Sequence, residues 1–391
     1  MDPVEKKNYL LGTPLPQWEE GRAKNITFIV TEDCQLRCRY CYLHGKNRTN
    51  KMSFEVARTA IDYFLRERDI FYEKSVILEF IGGEPFLEIE LIDRICDYFK
   101  TKTYELDHPW FNDYRFSFST NGILYDDERV QKYISKNRTH LSISITIDGT
   151  ARKHDSQRVF PDGRGSYSYV VKNIPLWVKQ FPESGTKVTV AHDDLPYIKE
   201  SVIHLWELGI QTVPINIVYE DVWTEGDSEI FEKELRALAD YIIENDIYRD
   251  KNFSFFANTL GNPCRDEQNW CGAGKMLAVD YEGNFYPCIR FAPFAMAKRK
   301  EGRKIGSIYE GIDQNKVRPF LALTRSSQST KECIECEVGM GCAWCQGLNF
   351  DEAETDTIYQ RAIFLCDMHK ARVRANNYYW DKLYREKGIS K

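Results

Sequence analysis

The chain has 391 residues, 42% of them hydrophobic and 29% charged, enough for an ample core and for two or three domains. No apolar run approaches the roughly 18–20 residues of a membrane span, and the start, MDPVEKKNYLLGTPLPQWEEG, lacks the regions of a secretory signal. Net charge is −6, from 53 basic and 59 acidic residues with no basic stripe, so a cytoplasmic protein without a nucleic-acid or membrane partner is expected.

After an N-terminal extension over 1–24, residues 25–219 alternate strand-like and helix-like segments. Short β-branched and aromatic runs bounded by turn residues predict strands at Thr27–Val30, Val76–Ile81, Arg115–Ser119, Ser142–Ile147, Lys187–Ala191 and Thr212–Val218. Helical patterns lie near 54–66, 88–100, 126–135, 167–181 and 196–208. Pro196 near the start of the last and Gly209 past its end show the usual asymmetry of caps. Six βα units in a row predict an α/β fold with a parallel sheet. Six rather than eight suggests a partial (β/α)6 barrel over 25–225, with active-site residues at the C-terminal ends of the strands. A connecting helix follows within 226–254. Beyond it helical periodicity gives way to cysteines and glycines over 255–370, with a hairpin predicted from Met276–Asp280 and Asn284–Pro287. A cysteine-dense, loop-rich stretch suits a metal-stapled module. A helix closes the chain within 371–391.

Twelve cysteines in a chain of this class point to metal binding or redox chemistry rather than to disulfides. Directly after the first strand stands Cys34-Gln-Leu-Arg-Cys38-Arg-Tyr-Cys41. Three thiolates on one loop can each ligate an iron of a [4Fe–4S] cube, leaving the fourth iron open, as a catalytic centre needs. Buried thiols, or a zinc site short of a ligand, are the competing readings. Gly82-Gly83-Glu84-Pro85 follows the second strand, Ser119-Thr120-Asn121-Gly122 ends the third, and Thr146-Ile147-Asp148-Gly149 ends the fourth.

These motifs, in this order, resemble the radical S-adenosylmethionine (SAM) superfamily. The resemblance implies an enzyme whose cluster, held by Cys34, Cys38 and Cys41, reduces SAM to give a 5′-deoxyadenosyl radical. It implies that Gly82 and Gly83 let the backbone approach the SAM amino group and that Glu84 offers it a carboxylate. Ser119, Asn121 and Thr146 would lie along the cofactor, Arg158 would pair with its carboxylate, and Tyr40 and Val218 would sit near adenine. For Tyr40 the plain alternative is loop packing; for Val218 it is the core.

The remaining cysteines run Cys264-x6-Cys271-x16-Cys288, then Cys333-x2-Cys336-x5-Cys342-x2-Cys345-x20-Cys366. Read alone, the CxxC pairs also suit a structural zinc knuckle. Together with Gly283-Asn-Phe-Tyr-Pro-Cys288 they resemble the SPASM extension of radical SAM enzymes. That implies two auxiliary [4Fe–4S] clusters, one on Cys264, Cys271, Cys288 and Cys345, the other on Cys333, Cys336, Cys342 and Cys366. Three clusters then use eleven of the twelve cysteines, and Cys96 is expected to be a buried small hydrophobe. Relatives often place three residues rather than two between the ligands matching Cys342 and Cys345.

SPASM enzymes mostly modify peptides or proteins, which implies a ribosomal peptide substrate, a thioether or carbon–carbon crosslink, and a low-potential donor of the flavodoxin or ferredoxin type. Formylglycine formation, as in anaerobic sulfatase-maturing enzymes, is the runner-up, because Ile289 stands where those enzymes carry an aspartate base. A dehydrogenase acting on a small molecule is the third reading. Only some 24 residues precede the first strand, too few for a leader-peptide-binding domain there. No catalytic acid or base is assigned: His192, Asp193 and Asp194 end the fifth strand, but a capping carboxylate at a helix start explains them as well. Oligomeric state is not legible.

Overall fold

The computed structural model describes residues 23–44, 48–251, 255–257, 259–263 and 271–391. It separates into two compact units. The first holds the described residues of 23–35, 41–143 and 271–323, and the second those of 36–40, 144–263 and 324–391.

The first unit is organised by β1 (Ala23–Thr31), a strand buried along its whole length. Its burial follows from its place in the sheet: it pairs in parallel with β2 (Ser75–Gly82) on one side and with β7 (Leu277–Val279) on the other. β3 (Tyr114–Thr120) adds to β2 in parallel, and β4 (Leu141–Ile145) completes that edge. Between the strands run α1 (Phe54–Arg66), α2 (Ile89–Glu105) and α3 (Glu128–Asn137), each burying one apolar stripe. Phe28, Phe80 and Phe118 stack across β1, β2 and β3, with ring centroids 5.7 and 5.3 Å apart. Cys96 is fully buried on α2, its sulfur 3.2 Å from the Tyr133 hydroxyl. The β1–β2 register shifts between Ile29 and Thr31, a bulge immediately before the first cysteine loop.

The predicted hairpin is present as β7 and β8 (Asn284–Tyr286), closed by an Asx turn in which Asp280 Oδ1 accepts from the Glu282 and Asn284 amides. Through β7 it extends the sheet of β1, and β9 (Gly306–Ser307) and β10 (Gly311–Ile312) follow. The described residues of 255–370 fall in both units.

In the second unit β5 (Val188–Val190) and β6 (Ile215–Ile217) form a two-stranded parallel sheet of their own. Side chains make bonds that a backbone ladder from β4 would make. Thr186 Oγ1 donates to the Ile145 carbonyl and accepts from the Ile147 amide, and Asp148 Oδ1 accepts from the Thr189 amide. α4 (Ala151–Gln157) lies between β4 and the next helices and was not predicted. The single helix predicted near 167–181 is two, α5 (Tyr167–Val171) and α6 (Ile174–Gln180). Pro175 is the cause, since its ring cannot follow the carbonyl of Val171 in a continuous helix. α7 (Ile198–Glu207) and α8 (Asp227–Glu244) follow, with Gly209 left-handed past the end of α7. After α9 (Gln314–Ala322) in the first unit, the second resumes with α10 (Arg325–Gln328), α11 (Lys331–Ile334), α12 (Gln346–Glu352) and α13 (Cys366–Lys387). α13 is tied to α8 by Arg374–Glu232 and Lys382–Asp240 ion pairs. No helix among the described residues is long and apolar enough to cross a membrane.

Candidate functional site

In the first unit the ends of β1, β2 and β3 meet around Cys34. The Gly83 amide donates to the Thr31 carbonyl at 3.0 Å and the Glu84 amide to the Asp33 carbonyl at 2.9 Å, so the glycines lie flat against the start of the cysteine loop. Glu84 is buried, and its carboxylate accepts from Thr120 Oγ1 at 2.6 Å, the Asn121 amide at 2.7 Å and the Phe86 amide at 3.1 Å. Asn121 Nδ2 reaches Gln35 Oε1 at 3.1 Å and lies 3.9 Å from Cys34 Sγ. Gly82, Gly83, Glu84, Asn121 and Cys34 are thus one assembly. Ser119 is exposed, turned opposite to Thr120 by the alternation of the strand.

Cys41 belongs to the same unit. Tyr42 beside it is capped by Arg290, whose guanidinium carbon lies 4.4 Å from the ring centroid. Burial pushes the Tyr42 hydroxyl up, Arg290 opposes this, and the acidic groups of Cys41, Glu79 and Cys288 reinforce it. Cys41 and Cys288 therefore both act on one phenol.

In the second unit residues 36–40 run beside 157–159, with Arg37 and Arg39 amides donating to the Val159 and Gln157 carbonyls. Arg158 is buried; its Nη1 donates to the Tyr40 hydroxyl at 2.9 Å, and that hydroxyl donates to Asp148 Oδ2. Burial works against the Arg158 charge, but the acidic groups of Cys38, Tyr40 and Asp148 outweigh it and keep the guanidinium charged. Its Nε is buried with no protein partner. Arg158 is fixed from behind: its carbonyl accepts from Ser166 Oγ at 2.7 Å, and Ser166 Oγ is 2.9 Å from His154 Nε2. Thr146 is half-buried. Val218 is buried and its amide donates to the Val190 carbonyl.

His192, Asp193 and Asp194 divide by role. Asp194 is fully buried and accepts from the Ala191 amide, as a capping carboxylate should, and also from Lys153. His192 Nδ1 pairs with Asp227 at 2.8 Å. Sequence reasoning missed Thr120 and Asp148. Each stood inside a quoted motif, and their polarity at the end of a buried strand was the available signal.

Cys271 and Cys288 lie in the first unit; Cys264 lies outside the described residues. In the second unit Cys333, Cys336, Cys342, Cys345 and Cys366 all line one cavity of about 700 Å³. Burial pushes the Cys342 thiol up, Arg361 counters it, and the nearby thiols of Cys366, Cys333 and Cys336 add to the rise. Among the described residues no three His, Cys, Asp or Glu groups close around a single ion.

Residues 28–197 match the family model described as the Radical SAM superfamily. The chain contains a radical SAM domain. The radical SAM cyclopropyl synthase TigE of Paramaledivibacter caminithermalis is 22% identical over 386 residues, 90% of this chain and 73% of that one. AlbA of Bacillus subtilis, named for antilisterial bacteriocin subtilosin biosynthesis, is 25% identical over 336 residues, 83% of this chain and 68% of its own. Among solved structures, native anSMEcpe with bound AdoMet and Cp18Cys peptide shares the fold with a TM-score of 0.69 at 19% identity, covering 93% of this chain and 98% of that one. The shared fold thus continues beyond the radical SAM domain.

A radical SAM enzyme works with a [4Fe–4S] cluster and SAM, and the residues present fit both. The Cys34–Cys41 loop offers three thiols and no fourth protein ligand of its own. The unpartnered, buried Arg158 Nε is a donor suited to a carboxylate.

Proposed function

We propose that this radical SAM enzyme is a peptide maturase that removes hydrogen from a ribosomal peptide and joins the carbon to a second group, as a thioether first and a carbon–carbon bond second. The observation that carries the reading is the gathering of Cys333, Cys336, Cys342, Cys345 and Cys366 on one cavity, in a fold shared over 93% of the chain with a peptide-bound structure. In this reading Cys34, Cys38 and Cys41 hold the SAM-binding cluster. Cys264, Cys271, Cys288 and Cys345 hold one auxiliary cluster, and Cys333, Cys336, Cys342 and Cys366 the other. Together the first cluster and SAM would supply the 5′-deoxyadenosyl radical that takes one hydrogen atom; the second would leave as a proton and an electron, with an auxiliary cluster as the electron acceptor.

The chain's own residues orient and hold. Glu84, fixed by Thr120 and Asn121, would present its carboxyl group at the end of β2 to the SAM ammonium. Arg158 would offer its buried Nε to the SAM carboxylate, while Tyr40, itself bonded to Asp148, holds Nη1. Gly82, Gly83, Ser119, Asn121 and Thr146 would line the cofactor, with Val218 beside adenine. Ile289 and Arg290, directly after Cys288, offer no carboxylate, and Arg290 is occupied over Tyr42. Formylglycine formation would need a base there and ranks second for that reason.

Anaerobic reconstitution, iron counting and dithionite-driven 5′-deoxyadenosine assays with cysteine-rich peptides test this. Three clusters give about twelve irons per chain, and each crosslink removes two hydrogens from the peptide. A thioether also consumes a thiol, which alkylation reports. About four irons, or turnover indifferent to every peptide, would leave the small-molecule dehydrogenase. Cys38→Ala should abolish 5′-deoxyadenosine formation; production surviving in that variant would overturn the assignment of the first cluster.

A further inference from the structure

Arg361 and Asn349 line the thiol-rich cavity of the second unit, and no step so far has used either. Arg361 Nη2 donates to Cys342 Sγ at 3.2 Å. The same guanidinium is held in place from two other sides: Nη1 donates to Ser329 Oγ at 3.2 Å, and its carbon lies 5.0 Å from the Trp344 ring centroid. Asn349, on α12, is 2% exposed and lines the same cavity. Its Oδ1 accepts from the Ala362 amide at 3.0 Å, which fixes the segment presenting Arg361, while its Nδ2 is buried with no protein partner.

A cluster on four thiolates becomes more negative by one charge when it is reduced, with no bond broken and no proton moved. A fixed cation and N–H donors on its sulfurs favour the more negative state and so raise the potential. A charge-assisted bond is the stronger kind, and guanidinium geometry suits it. Glu332 and Glu337 also line the cavity, but both are exposed and solvent weakens their field.

We infer that Arg361 and Asn349 set the reduction potential of a cluster held by Cys333, Cys336, Cys342 and Cys366, holding it above the value the four thiolates alone would give. The inference rests on the auxiliary-cluster reading proposed above. It makes Arg361 a redox-tuning residue that touches a ligand, Cys342, and Asn349 one that acts from the wall of the same cavity.

The test is an EPR-monitored potentiometric titration of the full chain, reconstituted with iron and sulfide, in a background with Cys34, Cys38 and Cys41 replaced by alanine. The signal lost on Cys342→Ala identifies the cluster. Arg361→Gln should move its midpoint downward, Asn349→Ala should move it downward by less, and Arg361→Lys, which keeps the charge but loses the fork, should fall between Arg361→Gln and the parent. Parent-like midpoints in Arg361→Gln and Asn349→Ala overturn the inference. If Arg361→Gln assembles no cluster, Arg361→Lys decides, and an unshifted midpoint there overturns it. A background chain without iron, or a Cys342→Ala chain that loses no signal, defeats the auxiliary-cluster reading itself and the inference with it.

Discussion

Gly83 occupies a place that no side chain can share. A Cβ there would lie 2.0 Å from the Asp33 carbonyl oxygen and 2.9 Å from Cys34 Cβ, so the first cysteine would have to move. Gly83→Ala should therefore lose about four irons and 5′-deoxyadenosine formation while circular dichroism stays that of the parent; full iron content would show that the loop yields. His154 is as constrained, by charge. It is fully buried, and burial, then the neighbouring Arg158, push its imidazole down to about 3. Its Nδ1 accepts from the Asp148 amide and its Nε2 faces Ser166, the bonds of a neutral ring. The unfolded chain takes up a proton near pH 6.5 that the folded chain refuses until about pH 3. Stability is complete above about pH 6.5 and falls as pH drops through that window, by up to about 1.4 kcal/mol per unit. His154→Gln should flatten this dependence in urea unfolding between about pH 6.5 and pH 4. Equal slopes in variant and parent would refute it.

Among the elements, α4 shows what periodicity does not see. Its sequence, ARKHDSQ, has no apolar stripe, yet Lys153, His154 and Gln157 are buried. Lys153 is held by the Thr189 carbonyl at 2.6 Å and by Asp194 at 3.0 Å, with both charged side chains fully buried. A helix buried through its polar groups has no signature in hydrophobic spacing. Removing one partner of such a pair strands the other charge, so Lys153→Met should cost about 3–5 kcal/mol in urea unfolding. A cost below about 1 kcal/mol, the range of an exposed pair, would show that water reaches the site. The helix predicted over 167–181 failed for a local reason that was legible, Pro175. The strands were the easier reading: all six predicted are present, because β-branched and aromatic runs between turns mark a strand whether it is buried throughout, as β1 is, or on alternate residues, as β4 is.

At the scale of the molecule, the second unit gathers five thiols on one cavity lined by short elements and loops between α10 and α13. Binding that exists only in the folded state is folding free energy. Protein prepared without iron should unfold at a lower temperature than the reconstituted chain, and chelation should return the loaded protein to the lower value. Coincident unfolding curves with and without iron would mean that the cysteine-rich segments fold without metal.

The order of motifs along the chain was determined by the sequence alone, because each follows a strand and each is local. Three cysteines on one loop, two glycines before a glutamate and the polar ends of β3 and β4 need no long-range pairing to be recognised. The tertiary structure alone decided which distant residues meet. It placed β7 beside β1, some 250 residues away in sequence. It put Thr120 rather than Ser119 on Glu84, since only alternate side chains of a strand share a face. It set Arg158 between Cys38, Tyr40 and Asp148, and Arg361 on Cys342. Such contacts are chosen by packing and by the cost of burying a charge without a partner, and neither is written in spacing.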